Sequence, residues 1–461
     1  MKLRTQDILN ATGGKEIYEC PPAFEGITTD SRKAVKGGLF VPLIGEKFDG
    51  HEFIAQAFEA GASGTVVKYS HPVLVPSGMA IIEVGDTLKA LQNMARYFRA
   101  KRPDLKVVGI TGTNGKTTTK EMLASILGVN GPVLKTEGNL NNHIGLPLTI
   151  MKLEKEQWAA VIEMGMSGFG EIKLLAGIAA PQVGIITNIG PAHLDSLGDM
   201  AGVARAKGEL IEALPEDGRA VLNLDDPFMA SMIESNRERA YTFGLNPDAD
   251  FSASDIKESL QGVYFKMKTP AGSVPVSLPV MGGHNVYNAL AASAAAHALG
   301  IGLEGIKGGL EGFTPAKMRM EVVATGGITV INDAYNANPA SMAAALTALA
   351  SVKEGRKVAV LGDMKELGAS ADKAHCDLGR LAGADNLALL VAVGEYAGLV
   401  ARGAAETGMA VENIFELGSA EEAGRLLSGK LRDGDTVLVK GSRAMGMERV
   451  VELIRNRRPA A

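Results

Sequence analysis

Short apolar runs alternate with longer segments of helical periodicity through most of this chain. In its middle part, four runs predict buried strands, at residues 107–110, 159–163, 183–187 and 220–224. Between these runs, apolar residues recur at the three- and four-residue spacing of a helix, as Met122, Leu123 and Ile126 do. Alternating strands and helices are typical of a doubly wound, mostly parallel sheet.

The flanking parts of the chain repeat this pattern on a smaller scale. The N-terminal part predicts strands at 39–43 and 65–67 and helices at 52–59 and 87–101. The C-terminal part predicts strands at 328–331, 357–361, 389–393 and 436–440. A more polar stretch, 241–280, alternates like antiparallel strands and precedes an Ala-rich helix at 285–299.

These patterns predict an α/β protein of three domains. Residues 1–104 form a smaller α/β domain, 105–315 the central domain with a mostly parallel sheet, and 316–461 a Rossmann-like domain. The total length of 461 residues agrees with three domains of ordinary size.

Composition and charge narrow the classes of function. The formal net charge of -5 provides no basic surface for nucleic acid. The two cysteines, Cys20 and Cys376, predict neither a disulfide framework nor a zinc cluster, as expected in the cytoplasm. We expect no signal peptide and no membrane span, because no apolar run is long enough.

A glycine-rich loop follows the first central strand and carries the clearest chemical signal. The segment 106–120 reads KVVGITGTNGKTTTK, a strand, a loop and the start of a helix. Such a loop binds phosphates through backbone N–H groups, a lysine ammonium and the helix N-terminus. Ile110 replaces the glycine of the general phosphate-loop pattern, so the motif is a shortened variant. The alternative is an ordinary strand–turn–helix connection.

Polar residues also follow the other central strands. Glu163 closes the second strand, and His193 lies in the segment TNIGPAHLD after the third. Because parallel strands end at one edge of a sheet, we expect Thr117, Glu163 and His193 to meet there and hold Mg²⁺ or Mn²⁺. A histidine or a glutamate taken alone is as well explained by capping or by surface chemistry.

Several further polar segments can each be interpreted in two ways, as part of a binding site or as ordinary local structure. Asn141 lies in TEGNLNNHIG, which is either a ligand-binding loop or a turn rich in asparagine. His284 and Asn288 share a helix face and either bind a base or ribose or cap the helix. Lys207 lies on a predicted helix, where a lysine is normally solvated. In the C-terminal domain, charged groups again follow strands, in DAYNANPAS, LGDMKELG and KGSR.

Together these segments resemble the Mur ligases, the ATP-dependent amide-forming enzymes that build peptidoglycan precursors. The resemblance extends over nearly the whole chain and rests on GTNGKT, TEGNLNNHIGLP, EMGMSG, NIGPAHLD, GGHNVYNALAA and RMEV. TTDSR, DAYNANPASM and LGDMKELG resemble the member that adds D-alanyl-D-alanine. A DNPR-type motif, expected of the diamino-acid-adding member, is missing from the sequence.

The resemblance implies an ATP-dependent ligase acting through an acyl phosphate, with two Mg²⁺ ions and two small-molecule substrates, a UDP-linked muramoyl tripeptide and D-Ala-D-Ala. It implies that the N-terminal domain binds the UDP substrate and that the C-terminal domain closes on ATP and binds the dipeptide. We also expect a monomer. The implied residues fall into four groups. The residues implied in catalysis are Lys116, Glu163, His193 and Lys207. Those implied in ATP binding are Gly112, Thr113, Asn114, Gly115, Lys116, Thr117, Thr118, Asn288, Arg319 and Asp333. Those implied in substrate binding are Ser31, Arg32, Asn141, Asn336, Asn338 and Ser341. The implied metal ligands are Thr117, Glu163, His193 and, if carbamylated, Lys207.

Other functions remain open at this point. The diamino-acid-adding sibling and a folate-polyglutamylating ligase share the activation chemistry. A phosphate-loop kinase or GTPase explains the loop but leaves the histidine and asparagine segments unexplained. A non-catalytic nucleotide sensor would need binding alone. The sequence does not distinguish diaminopimelate from lysine as the third peptide residue.

Overall fold

The computed structural model describes residues 2–72 and 74–456. Close packing divides the chain into two compact units. One comprises Met1–Thr111, Asn130–Ile185 and Arg205–Ala220, and the other Gly112–Val129, Ile186–Ala204 and Val221–Ala461. The structure contains three α/β regions along the chain, each built on its own sheet.

The N-terminal region is built on a five-stranded sheet. Its strand order is β2-β7-β6-β5-β4, parallel except for the edge strand β2. A separate antiparallel pair joins β1 to β3. The elements are β1 (Leu3–Arg4), α1 (Thr5–Thr12), β2 (Lys15–Tyr18), β3 (Ala23–Phe24), β4 (Ile27–Thr28), β5 (Gly38–Phe40), α2 (Ile54–Glu59), β6 (Ala62–Lys68), β7 (Ala80–Val84) and α3 (Thr87–Ala100).

The central region is built on a nine-stranded sheet in the order β16-β15-β14-β13-β12-β11-β8-β10-β9. The elements are β8 (Lys106–Thr111), α4 (Lys116–Gly128), β9 (Val133–Lys135), α5 (Gly145–Ile150), β10 (Ala159–Glu163), α6 (Glu171–Ala179), β11 (Val183–Ile186), α7 (Leu194–Leu197), α8 (Met200–Glu212), β12 (Arg219–Asn223), α9 (Ala230–Ser235), β13 (Ala240–Gly244), β14 (Phe251–Ser259), β15 (Gly262–Thr269), β16 (Gly272–Leu278), α10 (His284–Ala298) and α11 (Leu303–Glu311).

The C-terminal region is built on a six-stranded sheet in the order β17-β18-β22-β19-β20-β21. All its neighbours are parallel except β17 and β18. The elements are β17 (Glu321–Thr325), β18 (Ile328–Asp333), α12 (Pro339–Ala350), β19 (Lys357–Gly362), α13 (Ala371–Ala384), β20 (Leu389–Val393), α14 (Ala397–Glu406), β21 (Ile414–Leu417), α15 (Ala420–Lys430), β22 (Thr436–Lys440) and α16 (Glu448–Arg455).

The predicted strands and helices are largely confirmed. Strands β10, β20 and β22 have the predicted bounds, and the stretch 241–280 contains the antiparallel strands β14, β15 and β16. The strand predicted at 39–43 is too long, because β5 ends at Phe40. Pro42 follows and cannot donate to a ladder. The helix predicted at 52–59 begins as a 3₁₀ turn, Gly50–Phe53, before α2.

Eight strands were not predicted, namely β1, β2, β3, β4, β7, β9, β17 and β21. All except β7 are edge strands of their sheets. An edge strand of this kind is short or partly exposed, as β17 is along its whole length, so its sequence lacks the continuous apolar run of a strand buried on both faces.

A buried aspartate fixes α1 to α3 in the N-terminal region. The Asp7 carboxylate accepts hydrogen bonds from Lys101 Nζ at 2.6 Å, Arg4 Nε at 2.9 Å and Tyr97 Oη at 3.3 Å. Desolvation acts to raise the pKa of Asp7, but the bonds from Lys101 and Arg4 outweigh it and hold that pKa below its usual value.

Asp7→Asn should therefore lower the free energy of unfolding by about 1–2 kcal/mol, because three donors lose a charged acceptor. Since the pKa of Asp7 is lower in the folded state, its contribution is present above an unfolded-state pKa of about 4 and is lost as the pH falls through the folded value. Urea unfolding at neutral and acidic pH measures both effects. Asp104→Asn, at an exposed carboxylate that pairs with Arg102, is the matched control and should change unfolding much less. An equal loss in both variants would contradict the assignment.

No helix within residues 2–72 and 74–456 has the length and apolar character needed to cross a membrane.

Candidate active site

The loop between β8 and α4 has a backbone that requires glycine at two positions. Gly112 has φ 149°, and a Cβ atom there would lie 1.8 Å from Thr187 Oγ1. Gly115 has φ 81°, and its Cβ would lie 2.2 Å from Asn288 Oδ1. Neighbouring side chains therefore occupy the space beside both glycines, and the loop leads directly into the first turn of α4, where a helix attracts anions.

Hydrogen bonds to the segment after β11 fix the start of this loop. The Thr113 backbone N–H donates to the backbone oxygen of Asn188 at 3.0 Å. The Asn114 backbone N–H donates to Asn188 Oδ1 at 2.9 Å. Thr187 Oγ1 donates to the Asn114 oxygen at 2.6 Å. Protein contacts thus hold the loop in shape, which is the preorganisation that an anion site needs.

Lys116 folds back over the loop. Its Nζ donates to the backbone oxygens of Gly112 at 2.7 Å and Thr113 at 3.1 Å. The side chain is half-buried. An ammonium group held over a glycine loop at a helix start is placed to neutralise phosphate oxygens.

A cavity of about 400 Å³ opens beside the loop. It is large enough for a small ligand such as a nucleoside. Its lining includes loop residues, strand-end residues and the first turns of α10: Asn114, Gly115, Asn188, Asp225, His284, Tyr287 and Asn288.

The predicted nucleotide residue Asn288 is held rigidly at this cavity. Its Nδ2 donates to Asn285 Oδ1 at 2.9 Å, and its Oδ1 accepts from Thr119 Oγ1 at 3.3 Å. His284 lies one turn earlier on α10. Desolvation holds the pKa of His284 below its ordinary value, with nearby Asp333 opposing and Lys440 reinforcing the shift. The imidazole is therefore neutral at pH 7 and suited to contact an uncharged base or sugar.

Asp225 and Tyr287 line the same cavity and were not selected from the sequence. The Asp225 carboxylate accepts from Tyr287 Oη at 2.9 Å and from the backbone N–H groups of Leu245 and Asn246. Burial, with Asp225 adding to it, raises the pKa of Tyr287, which stays a donor. The position of Asp225 in NLDDP, directly after a strand, is the signal that identifies it.

Glu163 is buried at the end of β10, as predicted, with 3% of its surface exposed. Its Oε1 accepts from Asn141 Nδ2 at 2.8 Å, and its backbone N–H donates to Thr136 Oγ1 at 2.9 Å. Asn141, predicted to bind substrate, thus orients a carboxylate in this structure.

His193 and Lys207 are positioned by unusual local features. His193 has φ 53°, in the left-handed region, and precedes the short helix α7. Lys207 lies on α8 with 3% exposure, whereas a lone helical lysine is normally solvated. A buried lysine needs a partner for its nitrogen, which distinguishes Lys207 from an ordinary surface residue.

Arg319 and Asn338 from the C-terminal part of the chain reach the phosphate loop. Arg319 Nη2 donates to Thr117 Oγ1 at 3.1 Å, and the guanidinium lies 4.2 Å from the Tyr335 ring centroid. Asn338 Nδ2 donates to Asn114 Oδ1 at 2.7 Å. Thr117, predicted in the phosphate loop, and Arg319, predicted to contact the nucleotide, are therefore hydrogen-bonded to each other.

The remaining predicted C-terminal residues serve local structure. Asp333 accepts from the buried Lys440 Nζ at 2.5 Å, and Lys440 also donates to the Asn336 backbone oxygen at 3.0 Å. Asn338 and Ser341 form the capping box of α12. The capping box alone accounts for Ser341, so its predicted substrate contact stays a prediction.

Ser31 and Arg32, predicted for the UDP end of the substrate, lie in a 3₁₀ turn in the N-terminal region. Ser31 Oγ donates to Gln56 Oε1 at 2.6 Å, and Arg32 pairs with Asp30 at 2.9 Å. The Arg32 side chain is 78% exposed, so it is accessible to an anionic ligand.

Comparison with known proteins identifies the family. Three family models match along the chain: the Mur ligase family, catalytic domain, at residues 23–99; the Mur ligase middle domain at 110–296; and the Mur ligase, glutamate ligase domain at 318–443. A Bacillus subtilis protein named UDP-N-acetylmuramoyl-tripeptide--D-alanyl-D-alanine ligase is 39% identical over 97% of this chain and 96% of its own.

The chain belongs to the Mur ligase family.

Solved structures confirm the predicted three-domain α/β fold of this Mur ligase. MurF from Acinetobacter baumannii matches with a TM-score of 0.91 and 37% identity, covering 99% of each chain. MurF from Thermotoga maritima, solved in complex with ADP, matches with a TM-score of 0.81 and 28% identity over 94% of this chain and 97% of that one.

Proposed function

We propose that this Mur ligase joins D-alanyl-D-alanine to a UDP-N-acetylmuramoyl-tripeptide, with ATP converted to ADP and phosphate. The contact of Arg319 with Thr117 beside the preorganised glycine loop supports this proposal most directly. It brings a cation from the C-terminal part of the chain to the place where a triphosphate would end. The relatives named for this reaction cover nearly the whole chain, which favours it over the diamino-acid-adding and folate-type alternatives.

The proposed reaction has two steps. A carboxylate oxygen of the tripeptide attacks the γ-phosphorus of ATP, the bond to the β-phosphate oxygen breaks, and ADP leaves. The amine of D-Ala-D-Ala, having lost its proton, then attacks the acyl carbon of the acyl phosphate, and inorganic phosphate leaves. Charge accumulates on the phosphoryl oxygens during the first step, so cationic groups close to them lower the barrier.

Residues of this chain supply that charge and the orientation. Lys116 exchanges its two carbonyl partners for phosphate oxygens, which costs little because both sets are acceptors. Arg319 is oriented by Tyr335 and Thr117. The cavity beside the loop takes the nucleoside, with His284 and Asn288 at its wall.

Two Mg²⁺ ions are part of the proposal. Thr117, Glu163 and His193 would hold the first ion, and a carbamylated Lys207 would hold the second. The donor types fit, since hydroxyl and carboxylate oxygens are what Mg²⁺ prefers. Asn141 holds the Glu163 carboxylate in the manner of an outer-shell partner. When bound, the ions would neutralise phosphate charge.

Lys207→Ala should lower kcat by at least about 10²-fold, and added acetate or formate should restore part of it by supplying the missing carboxylate. Mass spectrometry of the parent protein, without the substitution, should find one carbon dioxide adduct at Lys207. Lys173→Ala, at a helix position on α6 outside the proposed site, is the control and should keep full activity. Loss of activity without rescue, together with an unmodified Lys207, would rule out the carbamate.

The test of the function itself offers amine acceptors one at a time. Phosphate release should require ATP, the UDP-muramoyl tripeptide and D-Ala-D-Ala together, and mass spectrometry should show the pentapeptide product. Release with diaminopimelate, lysine or glutamate in place of the dipeptide would point to a sibling ligase. Release without any amine would favour a simple ATPase.

Location and assembly also stay proposals. Neither Cys20 nor Cys376 forms a disulfide in the structure, and the reaction consumes ATP, so we place the enzyme in the cytoplasm. We also propose that it acts as a monomer, which sedimentation can test.

A further inference from the structure

Three side chains of metal-binding type come together in the N-terminal sheet region. Asp49 and His51 lie in the loop that follows β5, and His71 lies in the turn that follows β6. One ligand atom from each residue lies within 4.8 Å of the other two. The proposed ligation reaction assigns no role to this cluster.

The Asp49 carboxylate bridges the two imidazoles. Its Oδ1 lies 2.7 Å from His51 Nδ1, and its Oδ2 lies 2.9 Å from His71 Nε2. The two rings lie with centroids 4.2 Å apart and planes inclined by 34°. Two nitrogens and one carboxylate oxygen thus converge from two separate segments of the chain.

Backbone contacts hold the cluster in place. The Asp49 side chain also caps the 3₁₀ turn Gly50–Phe53 by accepting from the His51 N–H at 2.9 Å. The Gly50 N–H donates to the Leu43 oxygen at 2.9 Å, which closes the loop. The His71 N–H donates to the Lys68 oxygen at 3.1 Å. Because the backbone already holds these residues close together, little conformational entropy of the chain would be lost when a ligand binds here.

The cluster is closed on one side and open on the other. The His51 side chain is 1% exposed, whereas those of Asp49 and His71 are each 26% exposed. A bound ion would therefore have three protein ligands and room for water, the arrangement of an open zinc site.

We propose that Asp49, His51 and His71 form a binding site for one divalent transition metal ion of the Zn²⁺ class. Imidazole nitrogens favour such ions over Mg²⁺ and Ca²⁺, which prefer oxygen. Binding replaces the hydrogen bonds to Asp49 with bonds to the ion, which the carboxylate oxygen and the two imidazole nitrogens hold through their lone pairs. The ion would join the loop after β5 to the turn after β6 and so stabilise this region against unfolding.

The test is a titration of the full chain with Co²⁺, whose visible spectrum reports tetrahedral nitrogen and oxygen ligands. ATP is left out and Mg²⁺ is present in large excess, so that oxygen-rich sites are filled. We expect one Co²⁺ per chain and a rise in melting temperature on binding. His71→Ala should weaken binding at least tenfold and abolish the rise.

Two further variants separate this site from scattered surface histidines. His71→Cys should retain binding and add a thiolate-to-cobalt absorption band, which a merely structural residue would not produce. His143→Ala, at an exposed histidine, should bind Co²⁺ as the unchanged protein does. Circular dichroism checks that each variant is folded.

The proposal is overturned if the unchanged protein takes up no stoichiometric Co²⁺, or if folded His71→Ala binds it with undiminished affinity. A folded His71→Cys variant that binds without the new band would equally overturn it. In each case the three side chains would only join the loop after β5 to the turn after β6 by hydrogen bonds.

Discussion

Replacing Lys116 with alanine should reduce the rate of ligation by about 10³-fold or more, because the acyl-phosphate step loses the ammonium group nearest the transferred phosphoryl charge. Lys116 Nζ donates to the backbone oxygens of Gly112 and Thr113, at 2.7 and 3.1 Å. Phosphate release and pentapeptide formation with all three substrates present measure the loss.

Lys106→Ala is the matched control for this experiment. Lys106 begins the same strand, β8, and is exposed there. Its backbone N–H bonds the Trp158 oxygen and is unaffected by the substitution. Activity should stay normal in this variant, and both variants should melt at the same temperature as the parent. Near-normal phosphate release by folded Lys116→Ala would contradict the role assigned to this lysine.

Gly115→Ala should weaken ATP binding and also destabilise the chain by about 1–2 kcal/mol. The left-handed φ of 81° is unfavourable for alanine, and the new Cβ would lie 2.2 Å from Asn288 Oδ1. Asn288 cannot retreat without breaking its bonds to Asn285 and Thr119. The loop must therefore shift at the point where phosphates bind, and ATP affinity should fall by at least tenfold. Calorimetric titration with ATP and thermal unfolding measure the two effects.

Gly128→Ala gives the comparison, because Gly128 ends the same helix, α4, and a Cβ there meets no atom within 4 Å. This variant should bind ATP normally and be as stable as the parent or slightly more so, since alanine favours helix. If the two variants behave alike, steric conflict with Asn288 is not the reason for glycine at position 115.

The phosphate loop shows how much of the site local sequence encodes. Gly112, Gly115 and Lys116 were identified from a strand, a glycine-rich turn and a helix that follow one another directly. The structure confirms this order of elements, and both glycines have positive φ angles. Such features depend on neighbours in the chain, so residue spacing is enough to predict them.

The rest of the cavity wall depends on contacts between distant residues. Asn188 bonds Asn114 across 74 residues, and Tyr287 bonds Asp225 across 62. The spacing of apolar residues along the chain does not predict which strand end will face which helix.

By itself, then, the sequence determined the main strands and helices of the central and C-terminal regions, the nucleotide loop and the family, because backbone preferences and apolar periodicity act over a few residues. Tertiary structure alone decided that Arg319 donates to Thr117 and that Asn141 donates to the Glu163 carboxylate. It also decided that His51 and His71 both contact the carboxylate of Asp49. Those pairings follow from the packing of whole sheets and helices, where the burial of many side chains together selects one arrangement.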